Sequence, residues 1–334
     1  MPFDAKTLLV TGAGASAELD FPVGDKLKES IRALTNVDWN GLELRGDRHF
    51  CRVLEDFARA NNGGNLGPVI SSCKHIHENV ILSGSIDQFL SSHQNDLALV
   101  QCAKLAIAFE IGKAESASHL NIENNAHAHT DFIYLKDSYL PRMWARLQNG
   151  LPIAEWKSYF NNLKIITFNY DRTLEQFIRL ALTRFCKADD YHVLEFIGQL
   201  PILHVYGNLG SLGKSEDHCP YAPNHHQVIG AASRILTFSE TVNDNIREEI
   251  SDYFKWADRI VFLGFSYANV NVELFPRIEN SAKRVFGTSR GMSAANTEHA
   301  RLKLNWLVDA ANARATLSPT NCAKLFDDFE LQLC

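Results

Sequence analysis

The sequence predicts an α/β fold, in which a Rossmann-like parallel sheet carries helices on both faces and a large helical insertion interrupts the chain. Two observations support this prediction. Short runs rich in Val, Ile, Leu and Phe have the continuous apolar character of strands buried on both faces. These runs alternate with stretches of helical periodicity, as in βαβ units. The predicted strands are TLLVT (7–11), KIITF (164–168), PILHVY (201–206), RILTF (234–238), RIVFLG (259–264) and KRVFG (283–287).

The length of 334 residues allows one large domain or two smaller ones, and we predict a single domain over residues 1–334. The first strand runs into a glycine-bearing turn and then into the helical stretch GDKLKESIRAL. From about residue 40 to residue 160 apolar residues recur at helical spacing and strand signals are scarce. This region is the predicted helical insertion, and a C-terminal helical segment is predicted over about 295–334.

Composition and charge exclude several classes of protein. Hydrophobic residues make up 46% of the chain and charged residues 22%, as in ordinary soluble proteins, and the net charge of -6 offers no basic field for nucleic acid. The longest apolar region (97–111) contains Lys104 and is too short to span a membrane. The seven cysteines form no C-x-x-C pair, which favours reduced thiols. We therefore expect a soluble cytoplasmic protein that binds neither nucleic acid nor membranes.

Compact polar residues follow several of the predicted strands. Ligands of parallel α/β sheets bind at the carboxyl ends of the strands, so these residues are the candidate site. They are Gly12, Ala13, Gly14, Ala15 and Ser16, then Asn169 and Asp171, then His204 and Gly207, then Gly264, Ser266 and Asn269.

The first of these groups has the form G-x-G-x-x-A. Gly12 and Gly14 would let the backbone approach a diphosphate at a helix N-terminus, and the alternative is a tight strand-to-helix turn with no ligand. A dinucleotide dehydrogenase would carry an acidic residue at the end of a second strand about 20 residues further on. That interval is helical here, and Asp38 follows no apolar strand. The dehydrogenase interpretation therefore loses most of its support.

Two other strand ends have competing interpretations. Asp171 could cap the helix that begins near Arg172, but capping leaves Asn169 unexplained. His204 lies within an apolar strand, where a lone histidine is more often a core residue than a catalyst, and its near-neutral pKa is the only argument for chemistry. The histidine groups lack the spacing of metal ligands, so solvated loops are favoured and no metal site is predicted. These groups are HIH (75–77), HAH (127–129) and HH (225–226).

In combination the motifs resemble the sirtuin-like NAD-binding family. GAGAS with downstream Pro22 and Gly24, then SIDQFL, TFNYD, HVYG and LGFSYANVN, occur in the order of that family. The similarity extends from residue 8 to about residue 290 and is greater to the bacterial branch that hydrolyses NAD in defence against phage. No role follows from it for Asp87 of SIDQFL.

The resemblance implies a role for each matching residue. The diphosphate of NAD would contact Gly12, Ala13, Gly14 and Ser16, and the adenosine half would be held by Gly264, Ser266 and Asn269. Asn169 would lie near the nicotinamide ribose, Asp171 at the nicotinamide end, and His204 would be the catalytic histidine.

The chain departs from the protein deacylases of this family. It lacks the two C-x-x-C pairs of their structural zinc and their Pro-Asp-Phe-Arg signature, and it has Phe-Asn-Tyr-Asp where they have Gln-Asn-Ile-Asp. NAD as a substrate, without a metal, is therefore the expectation. Deacylation and ADP-ribosyl transfer remain minority alternatives.

The expected activity is that of an NAD+ glycohydrolase, which releases nicotinamide and ADP-ribose or a cyclised form of it. His204 would accept the proton. Because an uncontrolled enzyme would exhaust the NAD of its own cell, we expect homo-oligomerisation or a partner subunit to gate it. The candidate gates are the helical insertion and the loop at 210–226, which is expected to lie over a cleft. The alternative is a regulatory subunit that binds NAD or ADP-ribose without turnover.

Overall fold

Six parallel strands form the central sheet of the protein. The computed structural model describes residues 3–122, 131–148, 150–241, 244–279, 282–308, 315–330 and 332–333. The strands are β1 (Thr7–Thr11), β2 (Asp38–Trp39), β3 (Leu44–Arg45), β4 (Leu163–Thr167), β5 (Ile202–His204), β6 (Arg259–Leu263), β7 (Arg284–Thr288) and β8 (Thr316–Ser318).

The strand order in the sheet is β5-β4-β1-β6-β7-β8, while β2 and β3 form a separate antiparallel pair. Counted along the chain, the six parallel strands stand in the order 3-2-1-4-5-6, the order of doubly wound dinucleotide-binding folds. The predicted α/β class with a parallel sheet is confirmed. The order reverses between β1 and β6, so the crevice expected to take a ligand lies at their carboxyl ends.

Two hydrophobic cores cover the two faces of the sheet. All residues of β1 are buried, and they alternate between the cores: Leu8 and Val10 face one, Leu9 the other. Leu9 pairs with Ile165 of β4 and Val261 of β6, and these three residues belong to the same core. Burial on both faces explains why the middle residues of β1 and β6 are all apolar, as at residues 8–10 and 260–262.

Helices pack on both faces of this sheet. The first core is formed with helices such as Asp25–Leu34, Arg48–Asn61, Gly67–Asn79, Leu97–Ala117 and His225–Ala232, and the second with Tyr139–Gln148, Thr173–Arg184, Asp190–Ile197 and Cys322–Asp328. Shorter 3-10 turns lie at Ala17–Leu19, Val80–Leu82, Phe132–Leu135 and Ile153–Phe160. The helices are α1 (Ala13–Ser16), α2 (Asp25–Leu34), α3 (Arg48–Asn61), α4 (Gly67–Asn79), α5 (Ile86–Ser92), α6 (Leu97–Ala117), α7 (Tyr139–Gln148), α8 (Thr173–Arg184), α9 (Asp190–Ile197), α10 (His225–Ala232), α11 (Phe238–Thr241), α12 (Asp244–Trp256), α13 (Asn269–Val272), α14 (Ala294–Val308) and α15 (Cys322–Asp328).

The predicted helical insertion corresponds to helices α3 to α7. Several of these helices begin at side chains that cap them: Asp47 accepts from the N–H groups of His49 and Phe50, and Ser85 accepts from that of Gln88. Helix α6 packs against α4 and α10, so the insertion shares a core with the sheet. Among the residues that the structure describes, no helix combines the length and the apolar character needed to cross a membrane.

Two predictions of elements were wrong. The run RILTF (234–238) is not a strand: its middle is an irregular segment in which the N–H of Leu236 bonds to the carbonyl of Tyr206, and α11 begins at Phe238. The run is apolar because Ile235 is fully buried beside the end of β5, and burial alone does not make a strand. The C-terminal segment is not entirely helical, since it contains β8.

Candidate functional site

A cavity of about 750 Å³ opens where the strand order of the sheet reverses. Its size is that of a small-molecule or cofactor pocket. Its walls are the glycine turn after β1, helix α5 of the insertion, the TFNYD segment after β4, and the loop after β6. Of the candidate site residues, Ala15, His204 and Gly207 do not line it, and the others do: Gly12, Ala13, Gly14, Ser16, Asn169, Asp171, Gly264, Ser266 and Asn269.

The glycine turn is packed tightly against the turn after β6. The N–H of Gly14 donates to the carbonyl of Gly264 at 2.9 Å, and a Cβ on Gly14 would lie 2.8 Å from the Gly264 Cα. Gly264 has a positive φ of 57°, and its own Cβ would meet the Ala15 nitrogen at 2.1 Å. Close approach of two turns therefore requires these glycines, in agreement with the tight-turn alternative. Helix α1 has only four residues, so the long helix typical of a dinucleotide turn does not follow directly.

Asn169 carries a buried acceptor that has no partner. Its Nδ2 donates to the Gly12 carbonyl at 3.1 Å and to the Ser16 Oγ at 2.9 Å. These bonds fix the orientation of the amide, because a flipped Oδ1 would face the carbonyl oxygen of Gly12. The Oδ1 is buried and has no hydrogen-bond partner. Buried acceptors are nearly always satisfied, so a hydroxyl or water brought with a ligand would complete this one.

Asp171 holds the Asn169 amide in place through Ser16. The Ser16 hydroxyl donates to Asp171 Oδ2 at 2.7 Å, which leaves that hydroxyl no proton for a diphosphate. The other carboxylate oxygen accepts from the hydroxyl and the N–H of Thr173 in the first turn of α8. Asp171 is not the predicted N-cap, because α8 begins at Thr173 and Arg172 occupies the N-cap position without a side-chain capping bond. Asp171 instead bonds to the first residue of the helix and lines the cavity. Burial raises the pKa of Asp171, and the hydrogen bonds from Thr173 and Ser16 oppose that rise.

His204 lies behind Asn169 and does not line the large cavity. Its Nδ1 is 3.0 Å from the Asn169 carbonyl oxygen and its Nε2 is 2.7 Å from Glu175 Oε1. Both partners are acceptors, so the arrangement favours the ring with a proton on each nitrogen. Burial acts to lower the pKa of His204, but the charge and hydrogen bond of Glu175 raise it, and the net direction is upward. This geometry argues against the prediction that His204 accepts a proton from substrate, because an imidazolium has no free lone pair.

Four polar residues of the cavity had no role in the sequence interpretation. The Tyr170 hydroxyl donates to Asp87 Oδ1, and the Tyr206 hydroxyl donates to Asn271 Oδ1 at 2.7 Å. All four line the cavity. Each stands inside a motif that the sequence did reveal, but nothing in the sequence shows that SIDQFL meets TFNYD. Burial raises the pKa of Asp87, and the Tyr170 hydrogen bond opposes that rise.

Acidic side chains, and no basic ones, are found among the described residues that line the cavity. Among the described residues that line it there is no Lys, Arg or His, whereas Asp87 and Asp171 are carboxylates. Aromatic side chains also line it, including Phe168, Tyr170 and Tyr206. A cationic or neutral ring fits such walls, and a diphosphate would depend mainly on backbone N–H groups.

The loop after β6 forms the adenosine side of the predicted site. Tyr267 adopts a positive φ of 55°, which is uncommon for a bulky residue and is found at ligand-holding segments. Its buried hydroxyl donates to the Thr288 carbonyl at 3.0 Å and so fixes the loop. Ser266 and Asn269 on either side of it are exposed at the rim, where Lys303 of α14 donates to Asn269 Oδ1.

The loop at 210–226 does not cover the cavity. The fully buried Arg172 donates to the carbonyls of Gly210, Cys219 and Pro220, which attaches the loop to the start of α8. No residue of the loop lines the cavity, whereas α5 of the insertion does. Of the two candidate gates, only the insertion therefore adjoins the site.

The histidine groups of the sequence do not form loops as expected. His75 and His77 lie in α4, where His77 Nδ1 bonds to the Arg32 carbonyl, and His225 and His226 begin α10. The HAH stretch (127–129) lies outside the described residues. Within the parts of the chain that are described, no three His, Cys, Asp or Glu side chains are grouped to hold a metal ion.

Comparison of the chain with protein-family models and with curated proteins finds no match. The resemblance to the sirtuin-like family therefore stays a prediction from the motifs.

Proposed function

We propose that this protein binds NAD in the cavity and hydrolyses its nicotinamide–ribose bond. The observation that carries the proposal is the buried Asn169 Oδ1, an acceptor held in a fixed direction with no partner at the reversal of the strand order. A ribose hydroxyl or the attacking water is the kind of donor that it lacks.

The proposed reaction demands little covalent chemistry of the protein. The C1′–N bond breaks, its electron pair passes to the pyridinium nitrogen, and nicotinamide leaves as a neutral molecule without an acid. Water adds to the oxocarbenium carbon and releases a proton, which gives ADP-ribose. Asn169 would orient the ribose or the water, and Asp171 would keep that amide in place through Ser16. The carboxylates in the wall would favour the positive charge on the sugar.

A second candidate is a subunit that binds NAD or ADP-ribose without turnover. The observation in its favour is His204, whose two ring nitrogens are both occupied by acceptors. If this state persists with ligand bound, the expected base is absent. The two candidates differ in whether bound NAD is cleaved.

In the hydrolase role, the enzyme would deplete NAD in a gated response to phage, as an oligomer or with a partner subunit. Helix α5 is placed to transmit such gating, because it forms a wall of the cavity together with Ile111 of α6.

The test is to measure nicotinamide release and NAD binding by the purified protein, together with Asn169→Ala and Asn79→Ala. We expect Asn169→Ala to lower the turnover number by about 10²-fold, the usual cost of removing one preorganised hydrogen-bonding group. Asn79→Ala removes an amide that donates to the His75 carbonyl within α4 and does not line the cavity, so it should leave turnover unchanged.

Each result separates the candidates. Binding of intact NAD without release by the wild type would favour the binding subunit. Full turnover by Asn169→Ala would show that the site of hydrolysis is not the one proposed. Failure of the wild type to bind NAD at all would overturn the proposal.

A further inference from the structure

Asp87 is an aspartate of the helical insertion that reaches the cavity. It lies in the first turn of α5, and neighbouring residues of the same segment, Ser85, Ile86 and Gln88, line the cavity with it. One of its carboxylate oxygens accepts from the Tyr170 hydroxyl. Tyr170 stands between Asn169 and Asp171, so this bond attaches α5 to the strand end that carries the unpaired acceptor.

The surroundings of Asp87 offer it no cation. No basic side chain is found among the described residues that line the cavity, and the hydroxyl of Tyr170 is a neutral partner. A carboxylate in a partly desolvated, aromatic pocket is costly unless it takes up a proton or a positive charge joins it. The oxidised nicotinamide ring carries such a charge, and the reduced ring does not.

We propose that Asp87 is the specificity-determining residue by which the cavity selects the cationic nicotinamide of NAD+ over the neutral ring of NADH. The inference rests on the proposed binding of NAD, but it does not require turnover. At the separations available in a pocket of this size, one charge pair at an effective dielectric constant near 20 corresponds to roughly tenfold or more in affinity.

The experiment measures the dissociation constants of carba-NAD in its oxidised and reduced forms, so that cleavage cannot interfere. The chain is used in full length as wild type, Asp87→Asn, Asp87→Glu and Asp56→Asn. Asn keeps the acceptor for Tyr170 and the shape of Asp87 while removing the charge. Asp56→Asn removes the same charge from α3, away from the cavity.

We expect the wild type and Asp56→Asn to prefer the oxidised form by about tenfold, Asp87→Asn to lose this preference, and Asp87→Glu to recover much of it. An equal preference in wild type and Asp87→Asn would overturn the inference and leave the proposed function standing. Absence of binding by the wild type would instead overturn the proposed function, and this inference with it. A circular dichroism spectrum that matches the wild type establishes that the variants are folded.

Discussion

Asn169 and His204 illustrate what a sequence can and cannot show about single residues. Asn169 was unexplained by helix capping, and the structure places it in the cavity with an unpaired oxygen. His204 also belongs to a strand-end motif, yet its ring bonds to Glu175 and does not line the cavity. Strand position predicted which residues come near the site, because the carboxyl ends of parallel strands meet at one edge. The direction of each side chain depends on partners distant in sequence, which motif order does not contain.

The ion pair of His204 and Glu175 predicts a pH-dependent stability. The pKa of His204 is raised in the folded protein above its ordinary value of 6.5. The stabilisation that the protonated ring gives to the folded state is therefore complete below pH 6.5 and is lost as the pH rises through the pKa of the folded protein. We expect the unfolding free energy of the wild type to fall across this window and that of Glu175→Gln to fall less. Urea unfolding between about pH 6 and 9 measures both.

The matched control is Glu195→Gln at an exposed position of α9, which should leave the wild-type pH dependence unchanged. Identical pH profiles for the wild type and Glu175→Gln would show that the pair does not raise the pKa of His204.

At the scale of elements, Glu115 of α6 fixes the start of α8. Glu115 and Arg172 are both fully buried, with Arg172 Nη2 2.6 Å from Glu115 Oε2 and Nε 3.1 Å from Oε1. Removing one member of such a pair leaves a buried charge uncompensated, so we expect Glu115→Gln to lower the unfolding free energy by about 3–5 kcal/mol. Glu78→Gln breaks an exposed pair with Lys74 and should cost less than about 1 kcal/mol. Chemical denaturation that found equal effects would contradict this assignment.

Most strands could be predicted from the sequence where both of their faces are buried, and the wrong predictions concern other segments. Strands β1, β4, β6 and β7 correspond to predicted runs, since each lies between two cores, and the half-buried edge strand β5 lies within the longer predicted run PILHVY. Strand β8 has only three residues, exposed or half-buried, and therefore gives no apolar run. RILTF gives such a run because a buried irregular segment has the same composition as a strand.

At the scale of the molecule, the cavity joins parts of the chain that lie far apart in sequence. The glycine turn, α5, the TFNYD segment and the loop after β6 each form part of its wall. The fold class followed from alternating strands and helices, whereas the meeting of α5 with the sheet depends on how the insertion folds back, which periodicity does not encode.

This arrangement predicts that a ligand protects several distant segments at once. On addition of carba-NAD we expect slower amide hydrogen exchange in the glycine turn, in α5 and in the loop after β6, because ligand binding stabilises the state in which these walls are assembled. Peptides covering the loop at 210–226, which does not line the cavity, serve as the internal reference and should change least. Protection confined to the glycine turn would mean that α5 is no part of the binding site, and with it Asp87 would lose its proposed role.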